Sequence, residues 1–161
     1  MALPALFLVH GGGMAADSWD LTVEVIHRLA PELTVLALDM PGRRNKPADL
    51  REMTIADYVE SLVGDIESAG VEEIVIVGSS MGGMTLPGVV TKLGAARVRE
   101  MIFAAAFLPP EGTSIAVEPL SWSRAARDGG SKRRSVAYSA VFLGVFSRDR
   151  ALTCCFALGV C

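Results

Sequence analysis

Gly78-Ser79-Ser80-Met81-Gly82 constrains the fold of this chain more than any other stretch. It follows the apolar run Ile74-Val75-Ile76-Val77 directly and opens a segment of helical character. A G-x-S-x-G match between a strand and a helix reads as a nucleophile elbow, a sharp turn that holds Ser80 in strained geometry with its hydroxyl exposed. Side chains two residues before and two after such a serine would collide, and both places are glycine here. Gly83 leaves further room.

A second glycine loop points to the same chemistry. Ala5-Leu6-Phe7-Leu8-Val9 reads as a buried strand, runs into His10-Gly11-Gly12-Gly13, and a helix is expected from about Ser18. A loop of this kind after the first strand supplies a backbone N–H to an oxyanion hole, and the residue after the nucleophile, Met81, supplies the other. A plain strand-to-helix turn is the simpler reading of the same glycines.

The 161 residues are enough for one domain with a real core, and 51% of them are hydrophobic, which excludes a disordered chain. A net charge of -3 argues against a nucleic-acid footprint. No apolar span reaches membrane length, and the N-terminal apolar run has no basic region ahead of it, so a cytoplasmic location is expected by default. Cys154, Cys155 and Cys161 fit no metal-ligand spacing, and His10 and His27 are the only histidines.

Strands are predicted at 5–9, 33–38, 73–78 and 100–106, with helices between them. Asp17 is the expected cap of the first helix, which places Trp19, Val23, Ile26 and Ala30 on one face. Thr54 with Asp57 reads as a capping box for the second, followed by the apolar stripe Ile55, Tyr58, Val59, Leu62, Val63 and Ile66 and ended by Gly70. The third runs from the elbow to about Leu93, with Pro87 as an expected kink. Continuous apolar strands are buried on both faces, so the fold class is α/β with a mostly parallel sheet and flanking helices. In a parallel sheet the loops after the first and third strands open on one edge, where ligands bind, which places Gly12, Ser80 and Met81 within reach of one another. Beyond residue 120 the composition turns basic: seven Lys and Arg against two acids, after eight against sixteen before it. Gly129-Gly130-Ser131-Lys132-Arg133-Arg134 reads as a solvated loop, and 136–146 and 151–161 are apolar without a clear strand-helix alternation.

Four blocks in order resemble an α/β-hydrolase, and within it the plant-type methylesterase and hydroxynitrile-lyase-like branch: Leu8-Val9-His10-Gly11-Gly12-Gly13, Leu38-Asp39-Met40-Pro41-Gly42, Val77 to Met84, and Ala104 to Gly112. The resemblance covers residues 3–115. It implies a serine esterase acting on a small-molecule ester, with Ser80 as nucleophile, the Gly12 and Met81 N–H groups as oxyanion hole, and no cofactor, metal, nucleic acid or membrane partner. It divides the chain into a hydrolase core at 1–112 and, at 113–161, a partial helical cap or atypical C-terminal tail. Ser79 stands where this branch usually has histidine, and Gly42-Arg43-Arg44 replaces its Gly-His-Gly. No histidine follows Ser80, and the last acids are Asp128 and Asp149. The resemblance therefore predicts a chain that is C-terminally incomplete and impaired, because a serine hydroxyl is a weak nucleophile without an adjacent base. A sheet ending at the fourth strand further predicts self-association through an exposed edge.

Two other classes fit parts of the sequence. Gly11-Gly12-Gly13-Met14-Ala15-Ala16 with Asp39 after the next strand matches a dinucleotide-binding fingerprint, which requires the helix to start within the glycines. A hydrolase-like scaffold that binds without turnover fits the missing base.

Overall fold

The computed structural model describes residues 3–44, 46–108, 141–148 and 150–158. β1 (Ala5–Val9), β2 (Val35–Leu38), β3 (Ile74–Ser79) and β4 (Val98–Phe107) run parallel in the order β2-β1-β3-β4. Helices α1 (Asp20–Leu29), α2 (Ile55–Ser68) and α3 (Met81–Leu93) alternate with them. Each parallel pairing needs a crossover, and the helices provide it.

α2 and α3 pack on each other, and α3 packs on β3 and β4. The main core lies on this face: Phe7 and Val9 of β1, Ile74 and Ile76 of β3, and Phe103 of β4 meet Leu62 and Ile66 of α2 and Leu86 and Val89 of α3. Strand alternation turns Leu8 and Val77 to the opposite face, and both are buried outside that cluster. The helices approach closely at Gly88, where a Cβ would come within 2.7 Å of Val59 Cγ2. The capping box of α2 forms as the sequence suggests: Thr54 Oγ1 accepts the Asp57 N–H and the Asp57 carboxylate accepts the Thr54 N–H. Tyr58, Val59, Leu62, Val63 and Ile66 are buried, while Ile55 at the helix start is exposed. Gly70 follows at a φ of 65°, and α3 runs through Pro87 as one helix.

The first helix starts differently from expectation. The chain makes a short 3-10 turn at Ala16–Trp19, α1 begins at Asp20, and Asp17 does not cap it. The Asp17 carboxylate instead pairs with the Arg44 guanidinium. The expected inner face, Trp19, Val23, Ile26 and Ala30, is half-buried, and Leu21 and Leu29 on the outer face are 78% and 76% exposed.

The sheet does not end at β4. β5 (Val141–Ser147) and β6 (Arg150–Leu158) continue it as an antiparallel hairpin, so the order is β2-β1-β3-β4-β5-β6. Residues 141–147 and 150–158 thus form strands, and residues 113–140 of the expected partial cap or atypical tail lie outside the described residues. The edge through which self-association was expected is covered by β5; β2 and β6 are the outer strands. Arg148 fastens the hairpin to the parallel part: its N–H donates to Arg99 O at 2.8 Å, and its guanidinium donates to Ala96 O at 2.6 Å and to Glu73 Oε1 at 2.8 Å. Among the described residues, no helix is long and apolar enough to cross a membrane.

Candidate active site

Val9, the last residue of β1, pairs with Leu38 on one side and Gly78 on the other. The loops after β1, β2 and β3 therefore leave the sheet side by side. Ser80 sits between β3 and α3 at φ 50° and ψ −120°. A non-glycine residue in that region costs on the order of 1–3 kcal/mol and persists only where its surroundings over-determine it. Here they do. The Ser80 N–H points at two carbonyls of β4, Ala105 O at 3.2 Å and Ala104 O at 3.4 Å, and the Ser80 carbonyl accepts the Gly83 N–H at 3.1 Å. β4 bends to present those carbonyls: Ala105 is itself at φ 47°, and the register with β5 shifts between Phe103 and Ala106. The Ser80 side chain makes no capping hydrogen bond to α3, which leaves its hydroxyl uncommitted to the helix.

The glycines around the turn are required by close approach. A Cβ on Gly78 would lie 2.8 Å from the Gly83 backbone, and one on Gly82 would lie 2.5 Å from His10 O and 2.8 Å from Val9 O. One on Gly83 would collide with Ala106 Cβ. The loop after β1 abuts the turn: a Cβ on Gly11 would be 3.1 Å from Ser80 Cβ, and one on Gly12 would be 3.6 Å from Met81 Cβ. The structure thus brings Gly12, Ser80 and Met81 together at one edge of the sheet. Met81 opens α3, and the first N–H groups of a helix lack intrahelical acceptors and carry the positive end of its dipole.

His10 is 1% exposed and has both ring nitrogens occupied. Met40 N–H, which can only donate, points at Nε2 at 3.1 Å, so Nε2 is unprotonated. The proton is on Nδ1, which donates to Gly11 O at 2.8 Å. His10 is a neutral brace between the glycine loop and the end of β2, with no free lone pair for a proton from Ser80. Asp39 Oδ1 lies 3.9 Å from Nε2, beyond hydrogen-bond distance, and accepts the Ala16 N–H at 2.7 Å. His27 is exposed on α1. Asp149 and Asp128 lie outside the described residues. Sequence reading missed two participants: the Ala104 and Ala105 carbonyls, which carry no residue-type signal, and the use of Asp39 to hold the chain entering α1.

Burial pushes the His10 pKa below the ordinary imidazole value of 6.5, against the raising effects of the Gly11 hydrogen bond and Asp39. The unfolded chain then binds a proton near pH 6.5 that the folded chain refuses. Stability from this group is present above pH 6.5 and falls as pH drops from there towards the lowered folded value. Denaturant midpoints measured from pH 7.5 to 5.5 should decline in the native chain. His10→Ala should flatten that decline and lower stability throughout by about 2–5 kcal/mol, because the Met40 N–H and Gly11 carbonyl lose their partners. An unchanged slope would show that His10 titrates normally.

The dinucleotide fingerprint is not realised. It needs a helix starting within the glycines, whereas Met14, Ala15 and the 3-10 turn separate Gly13 from α1, and the Asp39 carboxylate is already engaged.

Comparison with known proteins agrees with this fold. Residues 6–157 match the model of the alpha/beta hydrolase family. The carbendazim hydrolyzing esterase of Nocardioides sp. (strain SG-4G) is 30% identical over 106 residues, which are 66% of this chain and 41% of that enzyme. Among solved structures, an extracellular alpha/beta-hydrolase from a Paenibacillus species, described as sharing structural and functional homology with tobacco salicylic acid binding protein 2, superposes with a TM-score of 0.63 at 24% identity, covering 76% of this chain and 49% of that one. Polyneuridine aldehyde esterase superposes with a TM-score of 0.57 at 26% identity, covering 66% of this chain and 42% of that one. The chain spans less than half the length of each of these proteins. From β1 to β6, this chain belongs to the alpha/beta hydrolase family.

Proposed function

We propose that this chain carries the serine and oxyanion part of a carboxylic-ester hydrolase site, with Ser80 as nucleophile and the Gly12 and Met81 N–H groups as oxyanion hole. The observation that carries the reading is the placement of a strained Ser80, at φ 50°, directly against the Gly11–Gly12 loop. Ser80 Oγ attacks the ester carbonyl and loses its proton to a base. The carbonyl oxygen becomes an oxyanion between the two N–H groups, and its collapse expels the alcohol and leaves an acyl-serine that water hydrolyses. Two fixed donors at the developing charge do not reorganise during the step, which makes them the larger electrostatic contribution. The substrate is a small ester, as in the esterases named above, and the reading needs no metal or cofactor.

A second reading is favoured by the occupied nitrogens of His10: a hydrolase-like scaffold that binds such an ester without turning it over. Intact-mass measurement after exposure to a fluorophosphonate separates the two. The catalytic reading expects one adduct on the native chain and none on Ser80→Ala. A folded native chain that gains no mass would leave the elbow as architecture and favour the scaffold.

A further inference from the structure

The glycine loop is flanked by two thioethers, those of Met14 and of Met81, and Met81 also packs in part against the core. Met14, directly after Gly13, is 49% exposed, and Met81 is half-buried. The point where a Gly11 Cβ would lie is 3.6 Å from Met14 Sδ and 3.1 Å from Ser80 Cβ, so the Met14 sulfur and the serine flank one position. The corresponding point on Gly12 is 3.4 Å from Met81 Sδ and 3.8 Å from Met81 Cε. On the placement proposed above, with the carbonyl oxygen towards Gly12 and Met81, one of the ester's two substituents, acyl or alkoxy, lies beside these two side chains.

Most polar groups at this edge are already engaged. Asp39 holds the Ala16 N–H, Asp17 pairs with Arg44, and His10 is closed by Met40 and Gly11. Arg43 donates to the Gly42 carbonyl at 3.0 Å and has no carboxylate partner among the described residues, which makes it the one competing feature, suited to an anionic substrate. It follows the end of β2, however, while Met14 and Met81 lie against the glycines that touch Ser80 and Met81.

We infer that Met14 and Met81 are specificity-determining residues that select esters with an apolar, flexible acyl chain. The inference rests on the catalytic placement of Ser80 proposed above and adds the substrate class. Methionine is unbranched and polarizable, so two of them make an apolar wall that adapts to a chain instead of fixing one shape. Each methylene moved from water into such a wall strengthens binding by up to about three- to fourfold.

The test uses the full chain labelled with 13C in the methionine ε-methyl groups, titrated with methyl acetate, methyl butyrate and monomethyl succinate. Methyl butyrate should shift the Met14 and Met81 methyls and leave the methyl of core-buried Met40 in place. It should bind about tenfold tighter than methyl acetate. Met14→Gln should remove most of that gain, and Met14→Leu should keep it. Monomethyl succinate binding as tightly as methyl butyrate, and losing that affinity in Arg43→Gln, would overturn the inference in favour of an anionic substrate. Equal binding of acetate and butyrate, or no shift at either methyl, would also overturn it. The same titration on Ser80→Ala keeps this inference apart from the catalytic one. Fluorophosphonate labelling without methyl shifts sinks the specificity assignment alone, and methyl shifts without labelling sink the catalytic reading alone.

Discussion

Gly82→Ala should destabilise the chain by about 3 kcal/mol or more, while Gly64→Ala should stabilise it by about 0.5–1 kcal/mol. The two substitutions are chemically identical and both fall inside helices, where replacing glycine by alanine ordinarily helps by reducing the freedom of the unfolded chain. At Gly64 in α2 nothing lies within 4 Å of the new methyl, so the ordinary gain survives. At Gly82 in α3 the methyl would sit 2.5 Å from His10 O, 2.8 Å from Val9 O and 3.1 Å from Val9 Cγ1. Two of those neighbours are backbone atoms at the end of β1 and cannot rotate away. Relief requires either α3 or the end of β1 to move, and with it the Gly11–Gly12 loop against Ser80. Urea midpoints of the two variants moving in opposite directions would establish that the elbow is held by backbone contact. A Gly82→Ala chain as stable as the native one would show that α3 can retreat from β1 without cost.

How far the sequence could be read depended on how local each cause was. β1 was legible to the residue, and β3 and α2 nearly so, because a continuous apolar run, a capping box and a terminating glycine act within a few positions. β2 begins at Val35 rather than 33, since Leu33 N–H is drawn back to Ala30 O in the turn after α1. The start of α1 was misread for a non-local reason: the Asp17 carboxylate has a partner in Arg44, twenty-seven positions along the chain. The β5–β6 hairpin carried no signal. Ser147 pairs with Arg150, and the sequence Arg-Asp between them lacks the Asn-Gly or Gly-X pattern by which a tight hairpin is read. Its ladder with β4, and Arg148 reaching the Ala96 carbonyl and Glu73, exist only once the folded sheet brings them together. In the candidate site the residue types pointed to Gly12, Ser80 and Met81, and the parallel sheet places them at one edge. The braces behind them are backbone carbonyls and a histidine with both nitrogens occupied, which no motif encodes.

Ester turnover by this chain should be slow, and the reason is the proton rather than the oxyanion. Of the two histidines in the sequence, His10 accepts Met40 N–H at one nitrogen and donates to Gly11 O from the other, and His27 is exposed on α1. Loss of a triad member lowers turnover by roughly 10⁴- to 10⁶-fold, and the residual rate comes from binding and the oxyanion hole. A hydrolase with an ordinary turnover of about 10 s⁻¹ would drop to the order of 10⁻³ to 10⁻⁵ s⁻¹. The part of p-nitrophenyl acetate hydrolysis that disappears in Ser80→Ala should fall in that range. Added imidazole should raise this Ser80-dependent part, because neither histidine offers Ser80 an acceptor and, on the reading proposed above, the strained turn and the two N–H groups would need only that acceptor. The same imidazole acting on Ser80→Ala measures its direct attack on the ester and is subtracted. A Ser80-dependent rate near 10 s⁻¹ without imidazole would mean that a base reaches Ser80 after all. If that base were His10, it would have to release the Met40 N–H, since Nδ1 carries the proton, and the pH dependence of stability would change with it. No Ser80-dependent rate at any imidazole concentration would mean that the two N–H groups do not face the oxyanion, and the arrangement around Ser80 would then hold a ligand without acting on it.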